Sequence, residues 1–229
     1  MIATATNLFE GIETALDSLP EGSRVHLADV SWEDYEQLLE DVSEVRHFKI
    51  YYDNGRLEAM VISYEHEGIK GLFSPFIVIL AEELNLPLRT AASTTLKQSK
   101  KKKGGDPDDS YYIENAHKIR GLKRINLAVD PPPDLLIAVD ITSSSINKFA
   151  IYAAMGIPEF WRYEGDEMHF YRLEGEDFVE ITHSVHFSFV TPAVITEFLR
   201  LGDSEDIPPM NKAFREWVKA NKPAEPQTH

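Results

Sequence analysis

The sequence predicts an α/β (α+β) fold, a central mixed β-sheet flanked by helices and preceded by an N-terminal helix and hairpin. Three observations carry this. Asp53-Asn54-Gly55 separates two short runs, Arg46–Tyr52 and Leu57–Ser63, as the turn of a β-hairpin does. Three prolines, Pro131 to Pro133, lead into the apolar, β-branched run Leu135–Ile141, then a polar turn, a helix and a further strand beginning near Phe160. Phe160–Tyr163, Met168–Leu173 and Phe178–Ile181 follow with Gly165 and Gly175 between them, which is a strand meander.

In order, residues 1–24 form a short amphipathic N-terminal segment, and Val25–Val30 a short strand. Ser31 caps the helix SWEDYEQLLEDV, with Asp34 three residues on as in a capping box. After the hairpin, Glu67–Asn85 has a helical pattern in which Pro75 should kink or interrupt the chain. Arg89–Gln98 suggests one strand, SKKKKGGDPDD an exposed loop, and Ser110–Glu114 another strand. Asn115–Asp130 fits either a surface insertion or a helix broken at Gly121. Thr191–Leu201 should be a helix with Pro192 in its first turn, and Met210–Ala220 a last amphipathic helix. No repeat or linker divides the chain. The expected organisation is therefore an N-terminal segment (1–24), a single domain (25–220) and a disordered tail (221–229).

The 229 residues are 43% hydrophobic, as in ordinary globular proteins. The absence of cysteine excludes disulfides and thiolate metal sites and suits a reducing cytoplasm. The N-terminus lacks a signal-peptide pattern, and no run approaches the roughly 18 apolar residues of a membrane helix. A formal net charge of −15 opposes nonspecific nucleic-acid binding by the whole surface. One local exception is the cluster Lys97, Lys100, Lys101, Lys102 and Lys103, which is either a solubilising loop or a phosphate-backbone contact.

The candidate chemistry lies in acids and a lysine. Asp108, in Pro107-Asp108-Asp109, is either a solvated loop residue or a hard-metal ligand, since Mg²⁺ favours carboxylates plus water. On the strand 135–141, alternate side chains put Asp134, Leu136, Ala138 and Asp140 on one face. At about 3.3 Å per residue, Asp134 and Asp140 are roughly 20 Å apart and cannot share a metal, whereas positions 138 and 140 are neighbours. Asp134 therefore reads as a turn cap. Asp140 is either a metal ligand or the partner of a nearby lysine or amide. Lys148 opens a helix, where the dipole disfavours a cation, so either it is simply exposed or it has a compensating role such as stabilising developing negative charge. Glu58 and His66 could line the same cleft, although each alone is a weak signal. No HExxH, P-loop or GxSxG pattern is present.

Pro133-Asp134-Leu135, Asp140-Ile-Thr-Ser-Ser-Ser, Lys148, Ile151-Tyr152-Ala153 and Gly156-Ile-Pro-Glu-Phe-Trp-Arg-Tyr together resemble the Uma-two family of restriction-endonuclease-like proteins, abundant in cyanobacteria. SWEDYEQLLE, the hairpin with Gly55 and Glu58, SYEHE, Pro107-Asp108 with Tyr111-Tyr112-Ile113, and RINLAVDPPPDL extend the likeness over about residues 25–218. The resemblance implies a restriction-endonuclease-like PD-(D/E)XK fold that cleaves DNA with Mg²⁺ or Mn²⁺ and acts as a homodimer. It maps the motif aspartate to Asp108, the second acid to position 138 and the lysine to Lys148, with Glu58 a further acid. Relatives read PDL-x-x-E-x-D where this chain has Ala138 in place of the glutamate. Loss of that carboxylate should weaken metal binding and slow hydrolysis severely, with Asp140 substituting in part. Two readings follow: an impaired metal-dependent endonuclease, and a noncatalytic binding or assembly protein on the same fold.

Overall fold

The computed structural model describes residues 12, 14–42, 47–141 and 146–224. Most of the N-terminal segment before residue 14, residue 46 at the start of the expected hairpin, the serine run 143–145 and the tail from 225 lie outside the described residues.

The described residues form two sheets. The first is antiparallel, in the order β1 (Arg24–Leu27), β3 (Arg56–Val61), β2 (Phe48–Asp53), β6 (Lys103–Gly105), β5 (Leu96–Gln98). The second is the expected mixed sheet, in the order β11 (Asp177–Ile181), β10 (Glu167–Glu174), β9 (Glu159–Glu164), β8 (Leu135–Asp140), β7 (Asp109–Tyr112), β4 (Arg89–Thr90). Within it β8 and β9 run parallel, joined through helix α3 (Lys148–Met155), because parallel neighbours need a crossover.

The hairpin β2–β3 turns at Asn54 and Gly55, both at positive φ, as its Asn-Gly pair requires. Ser31 caps helix α1 (Trp32–Asp41) in a complete capping box with Asp34. Helix α1 covers one face of the first sheet, where Tyr35 stacks on Tyr52 at 4.7 Å.

Two expectations are corrected, the first in part. Helix α2 (Tyr64–Glu83) is not interrupted at Pro75. An interior proline costs about 3 kcal/mol, but Phe73, Phe76, Ile77 and Leu80 around it are fully buried, each stabilising by about 1.5–3 kcal/mol. The stretch 89–98 is two strands in different sheets. Ala92 turns between them at positive φ, its N–H donating to Thr90 Oγ1 at 2.9 Å. The open alternative at 115–130 resolves to successive turns with Gly121 at positive φ.

Helix α2 and the C-terminal helices α4 (Pro192–Ser204) and α5 (Ile207–Asn221) pack on the face of the second sheet that carries Leu135, Ile137 and Val139. Its other face, with Leu136 and Ala138, meets Tyr51 of the first sheet and Ile151 and Tyr152 of α3. The candidate site lies at this junction. No helix among the described residues is long and apolar enough to cross a membrane.

Candidate active site

Asp108 stands just ahead of β7, pinned against β8. Its backbone N–H donates to Ile137 O at 3.0 Å, and its Oδ2 accepts from Val139 N at 2.7 Å, so it straddles Ala138. Its Oδ1 is ion-paired with Lys49 and lies 2.7 Å from His66 Nε2. Lys49 Nζ also donates to Pro107 O at 2.9 Å. Asp108 is only 1% exposed, which rules out the solvated-loop alternative.

Each partner is delivered by a local device. Lys49 belongs to the face of β2 opposite Phe48, Ile50 and Tyr52, which pack beneath α1. Ser63 caps α2 by accepting from His66 N at 3.2 Å, and that first turn carries the His66 ring inward.

Asp140, one pleat beyond Ala138, is ion-paired with Lys148 and accepts from Arg162 Nε of the neighbouring β9 at 2.7 Å. Lys148 opens α3, capped by Asn147, and is buried. Its ammonium lies 4.6 Å from the centre of the Tyr51 ring. The Asp140 carboxylate and the aromatic face offset the unfavourable helix dipole and exclude simple exposure.

Asp134 accepts from Ile113 N at 2.7 Å, Asn115 N at 2.9 Å and Asn115 Nδ2 at 2.6 Å, a turn cap away from this cluster. Glu58 faces the same side as its cross-strand partner Tyr51, but its ion pairs run to Arg24 and His26 on β1, on the far side of β3 from Lys49.

Several contributors escaped sequence reasoning. Asp106 accepts from Ile50 N at 2.8 Å and from Thr95 Oγ1 at 2.6 Å. The hydroxyls of Tyr51 and Tyr152 are buried and have no hydrogen-bond partner among the described residues. Lys49 and Tyr51 carried a usable signal, because they are the odd face of an alternating strand that ends at the turn.

Electrostatics bind the cluster together. Burial alone would raise the Asp108 carboxyl; the Lys49 ammonium, His66 and Lys148 overcome it and hold the group well below the usual carboxylate range. Burial likewise opposes ionisation of Asp140, and Lys148 and Arg162 bring it below its ordinary value. The Tyr51 and Tyr152 phenols are pushed far up, first by burial and then by the acids around them.

Lys49 and Asp106 also line an open cleft of about 1380 Å³. The lysine run does not form one patch on it. Lys97 reaches the cleft but is paired with Glu36 at 2.7 Å. Lys100, Lys101 and Lys102 are exposed on and just beyond a 3₁₀ turn, and Lys103 is paired with Asp53. Other basic groups of the cleft are His47, Lys70, Arg89 and the adjacent pair Lys123 and Arg124, which come from separate parts of the chain.

The carboxylates of Asp108 and Asp140 are hard oxygen donors on either side of Ala138, the right chemistry for a divalent cation. Among the described residues no third acid or histidine completes a ligand set.

No curated protein matches the chain. A solved structure that it resembles is described as a putative nuclease belonging to DUF820 from Anabaena variabilis ATCC 29413. The likeness has 13% sequence identity and a TM-score of 0.48 and covers 74% of this chain and 99% of that one. The model of the Uma2 family, described as "Putative restriction endonuclease", matches residues 32–200. That is well over half of the sequence, and the chain belongs to the Uma2 family.

Proposed function

We propose that this chain is a divalent-metal-dependent DNA nuclease whose hydrolytic rate is strongly reduced. The observation that supports it is the convergence of Asp108, Asp140 and Lys148 around Ala138, all four buried behind Lys49, which lines an open cleft and is ion-paired with Asp108: a nuclease constellation lacking one carboxylate. Asp108 and Asp140 would hold the ion, and the buried, unpartnered hydroxyls of Tyr51 and Tyr152 add polar atoms that a hydrated cation can satisfy. When bound, such an ion polarises a phosphoryl oxygen and lowers the pKa of water.

The protein's own residues supply the rest. Lys148, held by Asp140, places a fixed positive charge where negative charge develops on the phosphoryl group. Val139 N orients the Asp108 carboxylate through Oδ2, and the His66 ring lies 2.7 Å from Oδ1. Lys49 lines the cleft and is ion-paired with Asp108, so a DNA backbone in the cleft would approach the centre past this lysine. Position 138 supplies only a methyl group, so one anionic ligand is missing.

The test is cleavage of plasmid DNA with Mg²⁺ or Mn²⁺ by the wild type, Asp108→Asn, Lys148→Met and Ala138→Glu, each checked for folding. Slow cleavage by the wild type, lost in the first two and raised at least tenfold in Ala138→Glu, is expected. Cleavage unchanged in folded Asp108→Asn would overturn the assignment.

A noncatalytic binding protein is the second reading. It is favoured by the pairing of both carboxylates with fixed cations, Asp108 with Lys49 and Asp140 with Lys148 and Arg162. Failure of both the wild type and Ala138→Glu to cleave would establish it over the first.

A further inference from the structure

The mouth of the cleft carries a feature that metal-dependent hydrolysis does not require. Tyr64, the first residue of α2, is 86% exposed and lines the cleft. A large aromatic ring so placed gives up burial that a tyrosine normally gains. Two residues on, His66 turns inward to Asp108, so this one helical turn joins the cleft mouth to the candidate centre.

The turns at 115–130 form a second lining of unusual composition. Leu122 is 46% exposed, and Lys123 and Arg124 beside it are also exposed. Arg89 adds a further exposed cation from the edge strand β4. Arg89, Lys123 and Arg124 have no acidic partner among the described residues, whereas the cleft's Lys70 and Lys97 are paired with Glu67 and Glu36. The unpaired cations of the cleft thus share its lining with Leu122 and Tyr64, and its acids include Glu40 and Glu21, whose Oε2 accepts from Tyr64 N at 3.0 Å.

We infer that the cleft binds single-stranded DNA, with Tyr64 stacking on an unpaired base and Arg89, Lys123 and Arg124 holding the adjoining phosphates. This rests on the nuclease reading of the same cleft and names its substrate class.

The chemistry selects a single strand. Duplex DNA presents phosphates and groove edges while its base faces are stacked away, so it leaves an exposed ring without a partner. An unpaired base offers its π-face, and base–aromatic stacking beside a basic groove is how single strands are held. The formal charge of −15 also penalises a duplex, which brings twice the phosphate charge per unit length. The cleft exceeds the roughly 300–1,000 Å³ of a small-ligand pocket, leaving room for more than one nucleotide.

The experiment is fluorescence anisotropy with a labelled 12-nucleotide DNA strand and with the same sequence as a duplex. EDTA is present throughout, so binding is read without hydrolysis. The wild type should bind the single strand more tightly than the duplex. Tyr64→Ala should weaken single-strand binding about tenfold and leave duplex binding unchanged, and Tyr64→Phe should retain it. Arg124→Ala should weaken binding and flatten its dependence on salt. The ring of Tyr64 is exposed, so its loss does not threaten the fold. Equal affinity of Tyr64→Ala and wild type, preference for the duplex, or no binding of either DNA would each overturn the inference. Tyr64-dependent binding without cleavage under Mg²⁺ would leave it standing while the nuclease reading fails; cleavage indifferent to Tyr64 would do the reverse.

Discussion

Lys49 and Asp108 form a buried ion pair that joins the two sheets, the lysine from β2 of the first and the aspartate from the approach to β7 of the second. They are 3% and 1% exposed. Such a pair adds little over a well-packed apolar pair, but removing one member leaves the other charged and uncompensated. Lys49→Met should therefore destabilise the fold by about 3–5 kcal/mol in urea unfolding. The double variant Lys49→Met/Asp108→Asn should lose clearly less than the sum of the two single losses. Additive losses would show that the two side chains do not interact.

Acid should weaken the same junction. Asp108 and Asp140 are both held below their ordinary values in the folded state. A carboxyl with a lowered folded pKa contributes stability that is full above its unfolded value, near 3.9, and disappears as pH falls through the folded value. The stability gap between the wild type and Asp140→Asn should thus be constant from pH 7 to about pH 5 and narrow steadily below about pH 4. Urea unfolding at several pH values measures it, and a gap that stays the same down to pH 2.5 would contradict the assignment.

These pairings also mark the limit of what could be read from the residues alone. The hairpin at Asn54-Gly55, the capping box at Ser31 and the order β8–α3–β9 are local patterns, and local sequence carries them. The separation of Arg89–Thr90 from Leu96–Gln98 into different sheets depends on pairing with β7 and β6, which no local pattern encodes. Asp108 and Lys148 stood out because they sit in unusual settings along the chain. Lys49 looked like the polar half of an ordinary strand, and only the meeting of the sheets makes it a partner of Asp108. The lysine run 97–103 misled for the converse reason: neighbours in sequence are dispersed in space, while Arg89 and Arg124 line one cleft.

Gly104 is the tightest point in the strand that leads to Asp106 and Asp108. It pairs with Tyr52, and a Cβ there would lie 2.1 Å from the Tyr35 hydroxyl and 2.6 Å from its ring. Tyr35 is fully buried and stacked on Tyr52, so it has little room to yield. Gly104→Ala should cost about 1–3 kcal/mol through overpacking. The control Gly71→Ala, in open space on α2, should be neutral or slightly stabilising. Thermal unfolding separates the two, and equal melting temperatures would refute the steric account.

Asp134→Ala tests whether the turns at 115–130 depend on one carboxylate. That group accepts two backbone N–H groups and the Asn115 amide where the chain leaves β7. Removing it leaves buried donors unsatisfied, at a cost of about 1–3 kcal/mol each for those that water does not reach. The loss should be local as well as global: faster amide exchange at Ile113 and Asn115, and weaker oligonucleotide binding because Lys123 and Arg124 lose their fixed base. Normal exchange at both amides would show that the turns are held by other contacts.

Ala138→Glu should couple stability to metal in a way the wild type does not. The methyl group packs among Leu136, Ile151 and Tyr152, so a glutamate there adds volume and places a further carboxylate in a buried cluster. Without divalent ions the variant should be less stable than the wild type by about 1–3 kcal/mol. A cation that binds the folded state alone restores stability as its concentration rises above Kd, by about 2.7 kcal/mol at one hundred times Kd. Titrating Mn²⁺ against the melting temperature should therefore raise that of Ala138→Glu steeply and that of the wild type only weakly. The rise should vanish when Asp108→Asn is added, since the new carboxylate and Asp108 would have to share the ion. If Mn²⁺ moves both proteins equally, the ion binds elsewhere and position 138 is not where the missing ligand belongs.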